Sequence, residues 1–93
     1  MKFKNKKVTA VIDVRSRLEF FFGRAPGAVC IPVTKISAEA LESRGIGRND
    51  DILVYCASGS RSAMAARALK QAGYKRVVDG GGLANVRRNL TED

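Results

Sequence analysis

The chain has 93 residues, 45% apolar and 28% charged, with a formal net charge of +8. That describes one small globular domain with a modest core, not a disordered chain, and no run approaches the length of a membrane span. Histidine is absent, which excludes Cys-His and Ser-His-Asp catalysis, an imidazole base and histidine metal ligation.

Taken in chain order, residues 1–7 hold the only tight basic cluster, Lys2, Lys4, Lys6 and Lys7. They read as a basic, flexible tail of a single domain over residues 1–93. The apolar run behind them is short and soon charged, so it reads as mature protein and not as a secretory signal. Elsewhere the basic residues are dispersed, with no helix of repeated Arg/Lys and no interleaved aromatics. This pattern suits a solvated surface, or a field that draws small anions to a pocket, and not nucleic acid.

Residues 8–14 are β-branched and apolar and read as a buried strand. Residues 17–22 form a short helix stopped by Gly23, with Phe20, Phe21 and Phe22 free to line a pocket and at least one of them in the core. A turn at 25–28 leads to a second strand at 29–33, where Cys30 reads as core and not as a disulfide partner of Cys56. Ser37 caps a helix that Gly45 and Gly47 end. Residues 51–55 are a third strand, 62–72 an Ala-rich helix with Gly73 as C-cap, and 76–78 a fourth strand. Gly80, Gly81 and Gly82 form a loop, capped by Asp79, before a last helix at 83–88. Alternating strands and helices imply right-handed crossovers and a parallel sheet of four main strands, with sites at the carboxyl ends of the strands.

Cys56 stands at one of those ends. Ala57, Ser58, Gly59 and Ser60 behind it are all small, and Arg61-Ser62 opens the helix. Small residues let backbone N–H groups curl inward as an anion nest, and the helix start adds free N–H groups and partial positive charge. A thiolate there has a lowered pKa, so the backbone replaces the missing histidine. A buried cysteine before an ordinary strand-to-helix turn explains Cys56 taken singly, but not the whole Cys-x-x-Gly-x-Arg-Ser pattern. Asp13, Arg15 and Glu19 read as a structural ion-pair cluster near the site. The Arg61 side chain faces either the pocket or Asp13.

These motifs together resemble the single-domain rhodanese (thiosulfate sulfurtransferase) family. Ile12-Asp13-Val14-Arg15 with Glu19-Phe20 is similar to the family's Asp-Val-Arg strand end. Gly23-Arg24-Ala25-Pro26-Gly27-Ala28-Val29 with Ile31-Pro32 resembles its Gly-His-x-x-Gly-Ala-x-x-Ile-Pro segment, with Arg24 in place of histidine. Residues 54–62 resemble the catalytic loop, and Gly73-Tyr74 with Gly80-Gly81-Gly82-Leu83 the closing segments. The family's first strand and helix have little room before Val8, and Asn85 and Val86 stand near the place of a frequent aromatic.

The resemblance implies a rhodanese-like α/β fold and sulfur transfer without cofactor or metal. Cys56 would be the catalytic nucleophile, taking a sulfane sulfur from thiosulfate or a similar small anionic donor as a persulfide. Ala57, Ser58, Gly59, Ser60, Arg61 and Ser62 would bind the substrate. Cyanide or a thiol, including a protein thiol, would accept the sulfur. No nucleic acid or membrane partner is implied, and the expected location is the cytoplasm, or the periplasm if a leader was removed. Two alternatives stand beside this. One is a cysteine phosphatase, whose Cys-x5-Arg loop is one residue longer than the spacing from Cys56 to Arg61. The other is a non-catalytic rhodanese-like binding module, which typically lacks the cysteine that this chain keeps.

Overall fold

A computed structural model describes residues 1–92. The elements run β1 (Lys2–Phe3), β2 (Lys6–Lys7), β3 (Ala10–Asp13), α1 (Arg17–Phe22), β4 (Ala28–Cys30), a 3-10 turn (Val33–Lys35), α2 (Ala38–Glu42), β5 (Ile52–Cys56), α3 (Ser60–Gln71), β6 (Val77–Gly82), α4 (Leu83–Asn89) and β7 (Leu90–Thr91). The main sheet is parallel, in the order β4-β3-β5-β6. This is the expected four-stranded rhodanese-like architecture.

Every residue of β5 is buried, as a central strand covered on both faces requires. Its side chains alternate between two cores. Ile52, Val54 and Cys56 join Leu41, Ala65, Ala66 and Leu69 under α2 and α3. Leu53 and Tyr55 join Phe3, Val11 and Val86 on the opposite face, under α4 and the N-terminal segment. The site therefore starts from the most constrained strand of the molecule.

Residues 1–7 are not a loose tail. Lys4 and Asn5 both have positive φ, 49° and 70°, and they link β1 to β2 as a two-residue hairpin. That twist matches the strands it joins, and Asn tolerates it well. β1 also pairs with β7, and Phe3 is buried in the second core. Among the described residues no helix lies before β3; the hairpin and β7 cover this face.

Three further boundaries differ from expectation. The strand 29–33 is shorter, because Pro32 leads into the 3-10 turn. Helix α3 starts at Ser60, two residues early. The glycines of 80–82 continue β6, with a register shift between Val54↔Asp79 and Cys56↔Gly82. The bulge takes up one extra residue on β6 and brings Gly82 alongside Cys56.

Candidate active site

Cys56 is the last residue of β5 and is fully buried. Gly59 follows in a left-handed conformation, φ 109°, and serves as N-cap of α3 with no side chain to cap it. The sulfur supplies what the cap lacks. Cys56 Sγ accepts from the Gly59 amide at 2.9 Å and from the Ser62 amide at 3.4 Å. Ser62 is the third residue of the helix, where a capping side chain ordinarily binds. Thus a thiol sits where helix starts favour an anion.

The balance of forces on Cys56 is legible. Burial pushes its pKa up, but the Ser62 hydroxyl and amide and the Gly59 and Ser58 amides outweigh it, and the net direction is down. Cys30 goes the other way: burial, then the charge of Asp13, raises it. Cys30 is buried, and its thiol donates to the Arg15 carbonyl at 3.7 Å. Both cysteines are free, and Cys30 is core, as expected.

Ser62 Oγ lies 2.7 Å from Asp79 Oδ1, 3.0 Å from the Gly59 carbonyl and 3.6 Å from Cys56 Sγ. The hydroxyl has one proton, shared between Asp79 and the Gly59 carbonyl, while its oxygen accepts from the Cys56 thiol. Asp79 also accepts from the Gly81 amide at 2.9 Å, which is the glycine-loop cap expected of it. Its tie to Ser62 was not foreseen. Gly82 packs directly against this loop: a Cβ there would lie 2.6 Å from the Ala57 carbonyl oxygen. Only glycine lets the closing strand approach the loop this closely. Ala57, Ser58 and Ser60 are exposed, so what they bring to the cradle is backbone.

Arg61 faces neither Asp13 nor an empty pocket. Its guanidinium grips Glu19 at both oxygens, 2.7 and 3.1 Å. Glu19 is held down to about 2, first by Arg61 and then by the Ser16 amide. The expected cluster of Asp13, Arg15 and Glu19 is thereby corrected. Asp13 and Arg15 do pair, with Arg15 Nη2 2.7 Å from Asp13 Oδ2 and both side chains buried, but Glu19 pairs with Arg61. Asp13 also accepts from the Tyr55 hydroxyl at 2.6 Å, and Arg15 donates to the Gly23 carbonyl. This network fixes both ends of the α1 segment. The expectation that one of Phe20, Phe21 and Phe22 is core also fails, since α1 buries no residue. Arg24 stacks on Phe20 instead, 4.5 Å from its ring.

Residues 1–85 match the model of the rhodanese-like domain. The chain belongs to the rhodanese-like domain family. Its rhodanese fold is similar to a solved rhodanese with anions from Escherichia coli, with a TM-score of 0.74 and 30% identity over 82% of this chain and 88% of that one. The thiosulfate sulfurtransferase PspE of Escherichia coli strain K12 is 32% identical over 75 residues, 81% of this chain and 71% of that protein. The Bacillus subtilis strain 168 protein YrkF, whose name makes it a candidate sulfur carrier, is 39% identical over 69 residues; the match covers 74% of this chain and 36% of that longer protein.

Proposed function

We propose that the chain is a sulfurtransferase that carries sulfur as a persulfide on Cys56. The observation that carries this reading is the sulfur cradle: Sγ at the end of β5, bonded by the Gly59 and Ser62 amides, with its pKa lowered without any histidine. The sulfurtransferase and sulfur-carrier names of its relatives support the same class.

Thiosulfate, a small anionic donor, suits this anion-binding cradle. The Cys56 thiolate attacks the outer sulfur, a new S–S bond forms, and the bond to the sulfite sulfur breaks as sulfite leaves with the electron pair. Cyanide or a thiolate then attacks the outer sulfur, and the pair returns to Cys56. This is covalent, ping-pong catalysis. The amides of Ser58, Gly59 and Ser62 bind the anionic sulfur in both halves, the electrostatic contribution that is largest in such sites.

The phosphatase alternative is disfavoured by Arg61, which is held by Glu19 and not presented to a phosphate. The binding-module alternative is disfavoured by a cysteine whose surroundings promote the thiolate. Intact mass after thiosulfate treatment is the test. A gain of about 32 Da, one sulfur atom, is expected in the native chain and not in Cys56→Ser. Native protein that gains no mass yet hydrolyses an aryl phosphate would overturn the reading.

A further inference from the structure

Helix α1 is built from Arg17, Leu18, Glu19, Phe20, Phe21 and Phe22, and none of them is buried. Leu18, Phe21 and Phe22 are 67%, 74% and 78% exposed. Phe21 and Phe22 stack edge to face, 5.4 Å between centroids, so the apolar surface is one patch. Scattered exposed apolar residues need no explanation, but a contiguous aromatic patch marks an interaction surface.

The patch is connected to the sulfur site by two structural links. A groove of about 390 Å³ lies beside it, lined among others by Leu18, Glu19, Phe22, Leu83 and Arg87. Glu19 is bonded to Arg61 in the first turn of α3. Leu83 follows Gly82, which lies against the Ala57 carbonyl. Through Glu19 and Leu83 the groove is thus tied to the two segments that frame Cys56. Its charge is one-sided as well. Glu19 is the one carboxylate of its lining and is neutralised by Arg61, while among the described residues Arg87 of the lining pairs with no acid, and neither do Arg17 and Arg24 at the two ends of the α1 segment.

Resting on the sulfur-transfer reading, we propose that α1 and this groove dock an acidic protein acceptor that presents a cysteine beside apolar side chains. Aromatic anchors with an arginine rim suit such a partner. The bound cysteine thiolate attacks the outer sulfur of the Cys56 persulfide. A new S–S bond forms on the acceptor, the bond to Cys56 Sγ breaks, and the electron pair returns to Cys56. No oxidant is needed.

The test uses persulfide-loaded full chain, a cysteine peptide rich in Leu and Asp, and its counterpart with Lys for each Asp. The expected result is a kcat/KM about tenfold or more higher for the acidic peptide, with the gap closing as salt rises. Phe21→Ser/Phe22→Ser lowers transfer to the acidic peptide about tenfold and leaves thiosulfate–cyanide turnover unchanged. Arg87→Glu narrows the preference between the peptides. Equal use of the two peptides overturns the proposal, as does cyanide turnover that falls in step with peptide transfer. Self-association abolished by Phe21→Ser/Phe22→Ser would give the patch to a second copy, and binding to phosphatidylglycerol vesicles without peptide preference would give it to a membrane; either outcome overturns it. Native protein that forms no persulfide removes the sulfur-transfer reading and this inference together, whereas cyanide turnover without peptide preference removes the inference alone.

Discussion

Cys30 and Cys56 are both buried thiols, yet their surroundings drive them apart. Burial raises Cys30, and only the amides and hydroxyl at the α3 start reverse that for Cys56. Reactivity near neutral pH therefore belongs to Cys56. The single proton of Ser62 makes a sharper prediction. The Ser62 hydroxyl accepts from the thiol and turns its proton to the sulfur once the thiolate forms; Ser62→Ala deletes that, so the Cys56 titration midpoint rises. Asp79→Asn weakens the competing acceptor at 2.7 Å and removes a negative charge, so the midpoint falls. The measurement is the iodoacetamide alkylation rate against pH. Midpoints that move in the same direction would refute the competition. Cys56 and its small-residue loop were legible in the sequence because the nest is local. The Ser62–Asp79 bond was not, because it spans 17 residues and depends on how the bulged β6 meets the loop.

At the scale of elements, the Glu19–Arg61 bridge ties α1 to α3. No sequence periodicity reveals it, since the partners lie 42 residues apart on separate helices. Both side chains are about one-third exposed, so solvent screens the pair, and Arg61→Ala should cost about 0.5–1 kcal/mol. Glu19 has a depressed pKa, about 2 against an ordinary 4.5. Its contribution is thus complete above about pH 4.5 and fades as pH falls toward 2. Urea melts of native and Arg61→Ala protein should differ at neutral pH and converge in acid. A difference that persists unchanged at the lowest pH would contradict the assignment. The N-terminal hairpin makes a second case. Charge density argued for a tail there, but one buried aromatic decides otherwise. Phe3→Ala should destabilise by roughly 3 kcal/mol, while loaded protein still gains the persulfide mass in the cold. A melt shifted by less than about 1 kcal/mol would return the segment to a tail. The four strands of the main sheet were legible because each is a short apolar run bounded by turn residues. The element ends were less so, because the N-cap Gly59 has no capping side chain and the thiol of Cys56, three residues earlier, takes that place.

For the molecule as a whole, the net charge of +8 acts on any anion that approaches, wherever the individual lysines point. Thiosulfate carries two negative charges, so the field raises its encounter rate with the site. Salt shortens the range of that field, from a Debye length of about 30 Å at 0.01 M to about 8 Å at 0.15 M. Across roughly this interval kcat/KM for thiosulfate should fall severalfold with sodium chloride. The turnover at saturating thiosulfate should hold nearly constant, because the cradle amides at 2.9 and 3.4 Å act inside a site that salt does not reach. The acceptor half-reaction offers an internal control. Cyanide attacks as a monoanion, so the field acts on one charge and not two, and its capture should fall less steeply with salt than that of thiosulfate. Initial rates with each reactant limiting, across one salt series, separate the two. A flat response for thiosulfate would confine the charge to solubility or to a partner surface. Equal falls for both reactants would instead point to salt weakening the fold or the thiolate, which the urea melts and the alkylation profile would register independently.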